Sequence, residues 1–148
     1  MKLLGMLIGL VLISGLIIWY FQSSSVLAPS SIKQAIKLAP LVTSDISVAA
    51  PLQSQLVASP LVVSGQARGS WFFEASFPVI LSDANGNELA SAPAQAQGDW
   101  MTQNFVPFQT TLNFSLPNTA TGTLVFKKDN PSGLPQYDGQ VQMEVRFH

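Results

Sequence analysis

The chain has no cysteine, and its single histidine, His148, is the last residue. The first absence excludes disulfides, thiolate metal sites, a cysteine nucleophile and a lipid-modified cysteine anchor. The second leaves no imidazole where neighbours could orient it, so a serine–histidine–aspartate triad cannot be assembled. Charge is scarce too: Asp, Glu, Lys and Arg make up 10% of 148 residues, with a formal net charge of -1. No basic field exists to hold a polyanion, which excludes nucleic acid as a partner. The eight carboxylates are scattered singly, so paired acids for general acid–base work are not in view. Ser30 and Lys33 have the spacing of penicillin-recognising serine enzymes, but neither companion motif, S-D-N or K-T-G, occurs. The expectation is a protein that is not an enzyme and needs no cofactor.

What the sequence has instead is one long apolar run. Residues 3–21, LLGMLIGLVLISGLIIWYF, contain no charge. Roughly nineteen such residues are about the length that crosses a bilayer as a helix. Trp19 and Tyr20 close the run, where amphipathic rings favour the headgroup layer. Lys2 precedes it and the next cation is Lys33, an asymmetry that puts the amino terminus in the cytoplasm and the rest outside. Residues 1–21 therefore read as a signal anchor and a single transmembrane helix. A cleaved signal peptide is the competing reading: Val26-Leu27-Ala28 has small residues suitably placed, although Pro29 follows directly. Gly5 and Gly9 form a G-x-x-x-G pair, the candidate face for helix packing and for a homo-oligomer built through this segment.

Residues 22–44, rich in Ser, Ala and Pro, read as a linker. From Asp45 to the end the apolar period becomes two. In QVQMEVRFH, Val141, Met143, Val145 and Phe147 alternate with Gln140, Gln142, Glu144 and Arg146, a strand with one face buried and one wet. Val106, Phe108, Leu112, Phe114 and Leu116 share one parity. In WFFEASFPVIL, Trp71, Phe73, Phe77, Val79 and Leu81 face one way, with Phe72, Glu74 and Ser76 on the other. Further short strands are expected at 46–49, 61–67 and 121–127. Asn85-Gly86 is the strongest short hairpin signal, and 97–100 and Asp138-Gly139 are further turns. Six or seven short strands in about 100 residues argue a β-sandwich over 45–148.

Several motifs in this half occur together: G-x-A-x-G at 65–69, W-x-F-E-A-S-F at 71–77, D-x-N-G at 83–86, G-D-W-M at 98–101, V-P-F at 106–108 and K-D-N-P-S-G-L-P at 128–135. The chain resembles, on these, the immunoglobulin-like domain first noted in bacterial spore-germination proteins, the second Gmad family. That resemblance covers about two-thirds of the chain. It implies an immunoglobulin-like antiparallel β-sandwich of about seven strands, serving as a non-catalytic accessory module on envelope or secreted proteins. It carries no catalytic residue to any position here. Joined to the apolar segment, it predicts a single-pass protein of the bacterial cytoplasmic membrane whose carboxy-terminal domain is periplasmic or at the cell surface. Such a module would bind an envelope protein whose identity the sequence leaves open. The alternative function is a structural subunit of an envelope assembly or surface filament, organised by the apolar helix.

The possible sites are few. Asp83, Asn85, Asn87 and Glu88 superficially suggest a calcium loop, but they lack the twelve-residue frame and terminal bidentate Glu of an EF-hand, and a hairpin turn explains each of them. Glu74 opposite Arg68 is read as an ion pair. Trp71, Phe73 and Phe108 are expected in the core, and Phe72, on the opposite parity, is the candidate exposed aromatic for a partner contact. In an immunoglobulin-like topology the loops at 68–70, 97–100 and 129–139 gather at one end. Arg68, Asp99, Trp100, Asp129 and Asn130 are accordingly expected to converge there as an interaction pole, or to bond one another's backbones as structure. Asn130-Pro131-Ser132-Gly133 fits a type I turn place by place. Lys127 and Lys128, as strand neighbours, are expected to point to opposite faces.

Overall fold

Residues 38–148 are described in a computed structural model. The apolar segment 3–21 with Gly5 and Gly9, the Ser30 and Lys33 pair, and linker residues 22–37 lie outside the described residues. Eight strands follow one another: β1 (Leu41–Val42), β2 (Ile46–Ala50), β3 (Leu61–Arg68), β4 (Ser76–Asp83), β5 (Glu88–Ala96), β6 (Phe105–Leu112), β7 (Thr121–Lys127) and β8 (Gln140–Arg146). A period of two puts alternate side chains on one face, and the buried set follows it. Phe77, Val79 and Leu81 in β4, Val106, Phe108, Thr110 and Leu112 in β6, Leu124 and Phe126 in β7, and Met143 and Val145 in β8 all point inward. The strand beyond the expected number is β1, whose Leu41 and Val42 pair with Val48 and Ser47.

Every neighbouring pair is antiparallel, in the order β1-β2-β3-β6-β5-β4-β7-β8. The corner of this sheet is β5. It is paired with β4 along most of its length, from Ser82↔Glu88 to Ser76↔Gln95. To β6 it holds on only at Gln95↔Gln109 and Ala96↔Phe108. The sheet folds over there, and β6 comes to face β4 and β7: the Phe77 and Phe108 rings lie 5.0 Å apart and Phe108 and Phe126 6.2 Å apart. The residues that β5 turns toward the core are Ala90, Ala92, Ala94 and Ala96. Near a fold line the two layers have less than the usual ~10 Å between them, and methyl groups fill that wedge.

The opposite side of the sandwich is partly laced shut. After β2 the chain crosses to β8, where Ser54 N–H donates to Glu144 C=O (2.8 Å), Arg146 N–H to Gln55 C=O (2.9 Å) and Val57 N–H to Arg146 C=O (2.8 Å). This short parallel contact buries Val57 and satisfies backbone groups on one half of the β8 edge.

Two departures from the expected strands have a common cause, the ending of the extended backbone. Residues 71–81 are not one strand, because a 310 turn occupies Gly69–Trp71 and β4 begins only at Ser76. The parity argument over Trp71 to Leu81 therefore holds only from Phe77 onward. Likewise β6 ends at Leu112, so Leu116 is 60% exposed instead of inward.

Register fixes which loops share an end. Ile46 lies opposite Ala67, Arg68 opposite Phe105, Ser76 opposite Gln95 and Lys127 opposite Gln140. One end of the sandwich thus carries the turn at 43–45 and the loops 69–75, 97–104 and 128–139. The other carries 51–60, 84–87 and 113–120. Residues 38–40 belong to that second end, where Ala39 C=O accepts from Gln53 N–H.

Candidate interaction surface

The loops expected to gather do share one end, and backbone bonds join them. Gly69 N–H donates to Asn104 C=O (3.0 Å) and Asp129 N–H to Trp71 C=O (3.0 Å). Gly69 is required by this contact. A Cβ there would stand 2.0 Å from the carbonyl oxygen of Thr102 and 2.4 Å from that of Trp100, and neither backbone atom can yield.

Arg68 is the clamp between loops. Its Nη1 donates to Gln103 C=O (3.2 Å), its Nε reaches Ser44 C=O (3.4 Å), and its guanidinium stacks 4.3 Å from the Phe105 ring centroid. A planar fork suits that combination of carbonyls and ring face. The expected pairing with Glu74 is not made, since Glu74 is exposed in the tight turn Glu74-Ala75, both at positive φ, between the bridged residues Phe73 and Ser76.

The other expected pole residues are there, with structural tasks. Asp99 accepts from Met101 N–H (3.0 Å), closing the turn that carries Trp100. Asn130 organises its loop: Nδ2 donates to Leu134 C=O (2.9 Å) and to Asp138 Oδ1 (2.7 Å). Its carbonyl accepts from Gly133 N–H (3.1 Å), the bond of the expected type I turn. Asp129 contributes its backbone. Lys127 ends β7, and the bond from Lys128 N–H to Gly139 C=O (2.8 Å) carries the ladder one residue further. Both lysines border one shallow depression with Asp138, Gly139 and Gln140.

The exposed aromatic is Phe73, not Phe72. The 310 turn advances side chains by about 120° per residue, not 180°, so Trp71 and Phe72 both turn inward, each 5% exposed. Phe73, expected in the core, is 41% exposed. It has company at this end: Met101 is 77% exposed, Tyr137 53% and Leu134 48%. Sequence reasoning passed over Leu134 and Tyr137, whose signal, shared with Met101 after its turn, was an apolar residue inside a turn, where burial has no reason to occur.

Among the described residues no group of three or more His, Cys, Asp or Glu comes together. In the 84–87 hairpin at the opposite end, the Asp83 carboxylate accepts from Asn85 N–H (2.8 Å), Asn87 N–H (2.9 Å) and Asn87 Nδ2 (2.9 Å). Gly86, at φ +84, closes a three-residue loop of the type I turn plus bulge kind. The Asn87 side-chain amide is the main reason that Asp83 titrates below the usual carboxylate value; desolvation opposes it and the backbone N–H groups of Asn87, Asn85 and Gly86 reinforce it. A carboxylate held low stabilises the fold at pH above its unfolded value and stops doing so as pH falls through its folded value. Thermal melts of Asp83→Ala and wild type are thus expected to lie furthest apart near neutral pH and to draw together as the pH falls below about 4.

Antiparallel strands folded into two facing layers, with loops gathered at the ends, define an immunoglobulin-like β-sandwich protein. Residues 45–134 match the Gmad2 family, described as the immunoglobulin-like domain of bacterial spore germination. The match spans more than half of the chain, and the chain belongs to this family. Searches of curated proteins and of solved structures returned no match.

Proposed function

We propose that the chain is a non-catalytic binding module of the bacterial envelope, held to the cytoplasmic membrane by residues 3–21 and presenting the loop end of its sandwich to another protein. The observation that carries this reading is the set Phe73, Met101, Leu134 and Tyr137, exposed on three loops that named hydrogen bonds hold in place. Large apolar side chains on a pre-ordered scaffold are the usual anchors of protein recognition, because little rotamer or loop freedom remains to be lost. The family suits an accessory role. Residues 38–40, where a membrane tether would join, lie at the opposite end of the sandwich from these loops.

The test is capture from envelope fractions with the full chain. A partner retained by wild type and by Leu56→Ser with Leu116→Ser, two exposed sites at the tether end, is expected to be lost with Met101→Ser and Tyr137→Ser together. Retention by the loop-end double variant would reject the reading. Release of the chain from membranes by high salt alone would reject the anchor.

A further inference from the structure

The β8 edge is half covered and half bare, and the bare half has a defined chemistry. In an antiparallel ladder, alternate residues direct both backbone groups to one neighbour. Lys128 N–H bonds Gly139 C=O and Phe147 N–H bonds Ala120 C=O, so odd-numbered residues of β8 serve the β7 side. Even-numbered residues face away, as the bonds of Glu144 and Arg146 to residues 54–57 confirm. The covering segment stops at Ser54, whose φ of 56 turns the chain aside. Beyond it the N–H and C=O groups of Gln140 and Gln142 point outward without a partner among the described residues.

Proteins normally blunt such an edge with charge, proline, a bulge or extreme shortness. The other end of the sheet is blunted: β1 is two residues long, and β2 carries a register shift between Val48 and Ala50 followed by Pro51. Residues 140–143, Gln-Val-Gln-Met, have no charge and no proline. Their pairing with β7 is unbroken from Gln140↔Lys127 to Met143↔Leu124. Inward from this edge Val141 is only half-buried against the core.

We propose that residues 140–143 of β8 are a docking edge that receives an extended segment of the partner protein as an added strand, with an acidic side chain of that segment reaching Lys127 and Lys128. This rests on the binding reading above and names its mode, main-chain pairing at a sheet edge. The charge preference follows from the residues that border the depression beside Gln140, where two lysines, Lys127 and Lys128, stand against one carboxylate, Asp138, itself engaged by Asn130. A second copy of the chain is the less suitable occupant. Edge-to-edge pairing over residues 140–143 would engage four residues on each side, whereas stable interfaces take roughly 20–30. A flexible segment can continue past the edge across Leu134 and Tyr137.

The probe is a panel of seven-residue peptides alternating Thr with Val, Ile or Tyr and ending in two glutamates. Binding to the full chain is read by fluorescence anisotropy. At least one peptide is expected to bind, to weaken tenfold or more when alternate backbone nitrogens are methylated, and to weaken several-fold when lysines replace the glutamates. Gln142→Pro removes an N–H that faces away from β7, so the β7–β8 ladder survives. Hydrogen exchange at Val141 and Met143 checks that the variant is folded. This variant is also expected to lose tenfold or more in affinity. Undiminished binding of the methylated peptides or to Gln142→Pro overturns the proposal, as does no binding at millimolar peptide. Concentration-dependent protection of the Gln142 amide without peptide assigns the edge to a second copy and overturns it too. A partner still captured by Gln142→Pro but lost by the Met101 and Tyr137 double variant would remove this proposal and leave the loop-end reading standing.

Discussion

Phe77→Ala is expected to destabilise the domain by about 3–5 kcal/mol, the range for deleting a fully buried aromatic side chain. Phe77 has no solvent exposure and is the ring that ties the two layers together. Trp71 meets it at 5.8 Å, Phe72 at 5.1 Å and Phe108 at 5.0 Å, each edge to face. Such pairs add roughly 0.5–1.5 kcal/mol apiece beyond the area they bury, and all three go with one substitution. Against a typical total of about 5–15 kcal/mol, the variant would retain little margin, with a melting temperature lower by roughly 10–20 °C. Phe73→Ala, four residues away in the same motif, is expected to change the melting temperature little, since Phe73 is 41% exposed. If the two variants melt alike, the assignment of faces in this motif is wrong.

Gly69→Ala is the second large effect, expected at about 1–3 kcal/mol from overpacking. The added methyl would meet two carbonyl oxygens of the 97–104 loop at 2.0 and 2.4 Å, and relieving that clash pulls apart the Gly69 to Asn104 bond. Chemical-shift changes should therefore concentrate in 97–104 and at Arg68, more than in the strands. Gly98→Ala is the control, because a methyl there meets nothing within 4 Å; surface changes of that sort stay within about 0.5 kcal/mol. Equal destabilisation by the two alanines would refute the close approach.

The strands most legible in the sequence were those whose alternation is long and whose inward residues are large. In β8, Met143 and Val145 are buried and Gln142 and Glu144 exposed, as the pattern required. β5 was legible only through the hairpin before it, because alanine is a weak strand signal and earns its place from the narrow wedge at the fold line. Nothing local marked β1 or residues 54–57, whose extended state depends on partners distant in sequence, β2 and β8. The faces of Phe72 and Phe73 were misread for a different reason, while Trp71 is buried as expected. A period-two argument assumes continuous strand, and one 310 turn resets the phase. At the pole, Arg68, Asp99 and Asn130 were found from motif density, yet their side chains bond the loops. The exposed apolar residues beside them could not be separated from core residues by type alone.

The bonds that Arg68 and Asn130 make across and within these loops have a kinetic consequence. A loop surface that is already ordered has no folding step to complete after encounter. For the binding proposed at this end, association should then rise linearly with partner concentration, without the plateau that a rate-limiting rearrangement imposes. Differences in affinity among loop variants should appear in how long a complex lasts, and scarcely in how fast it forms.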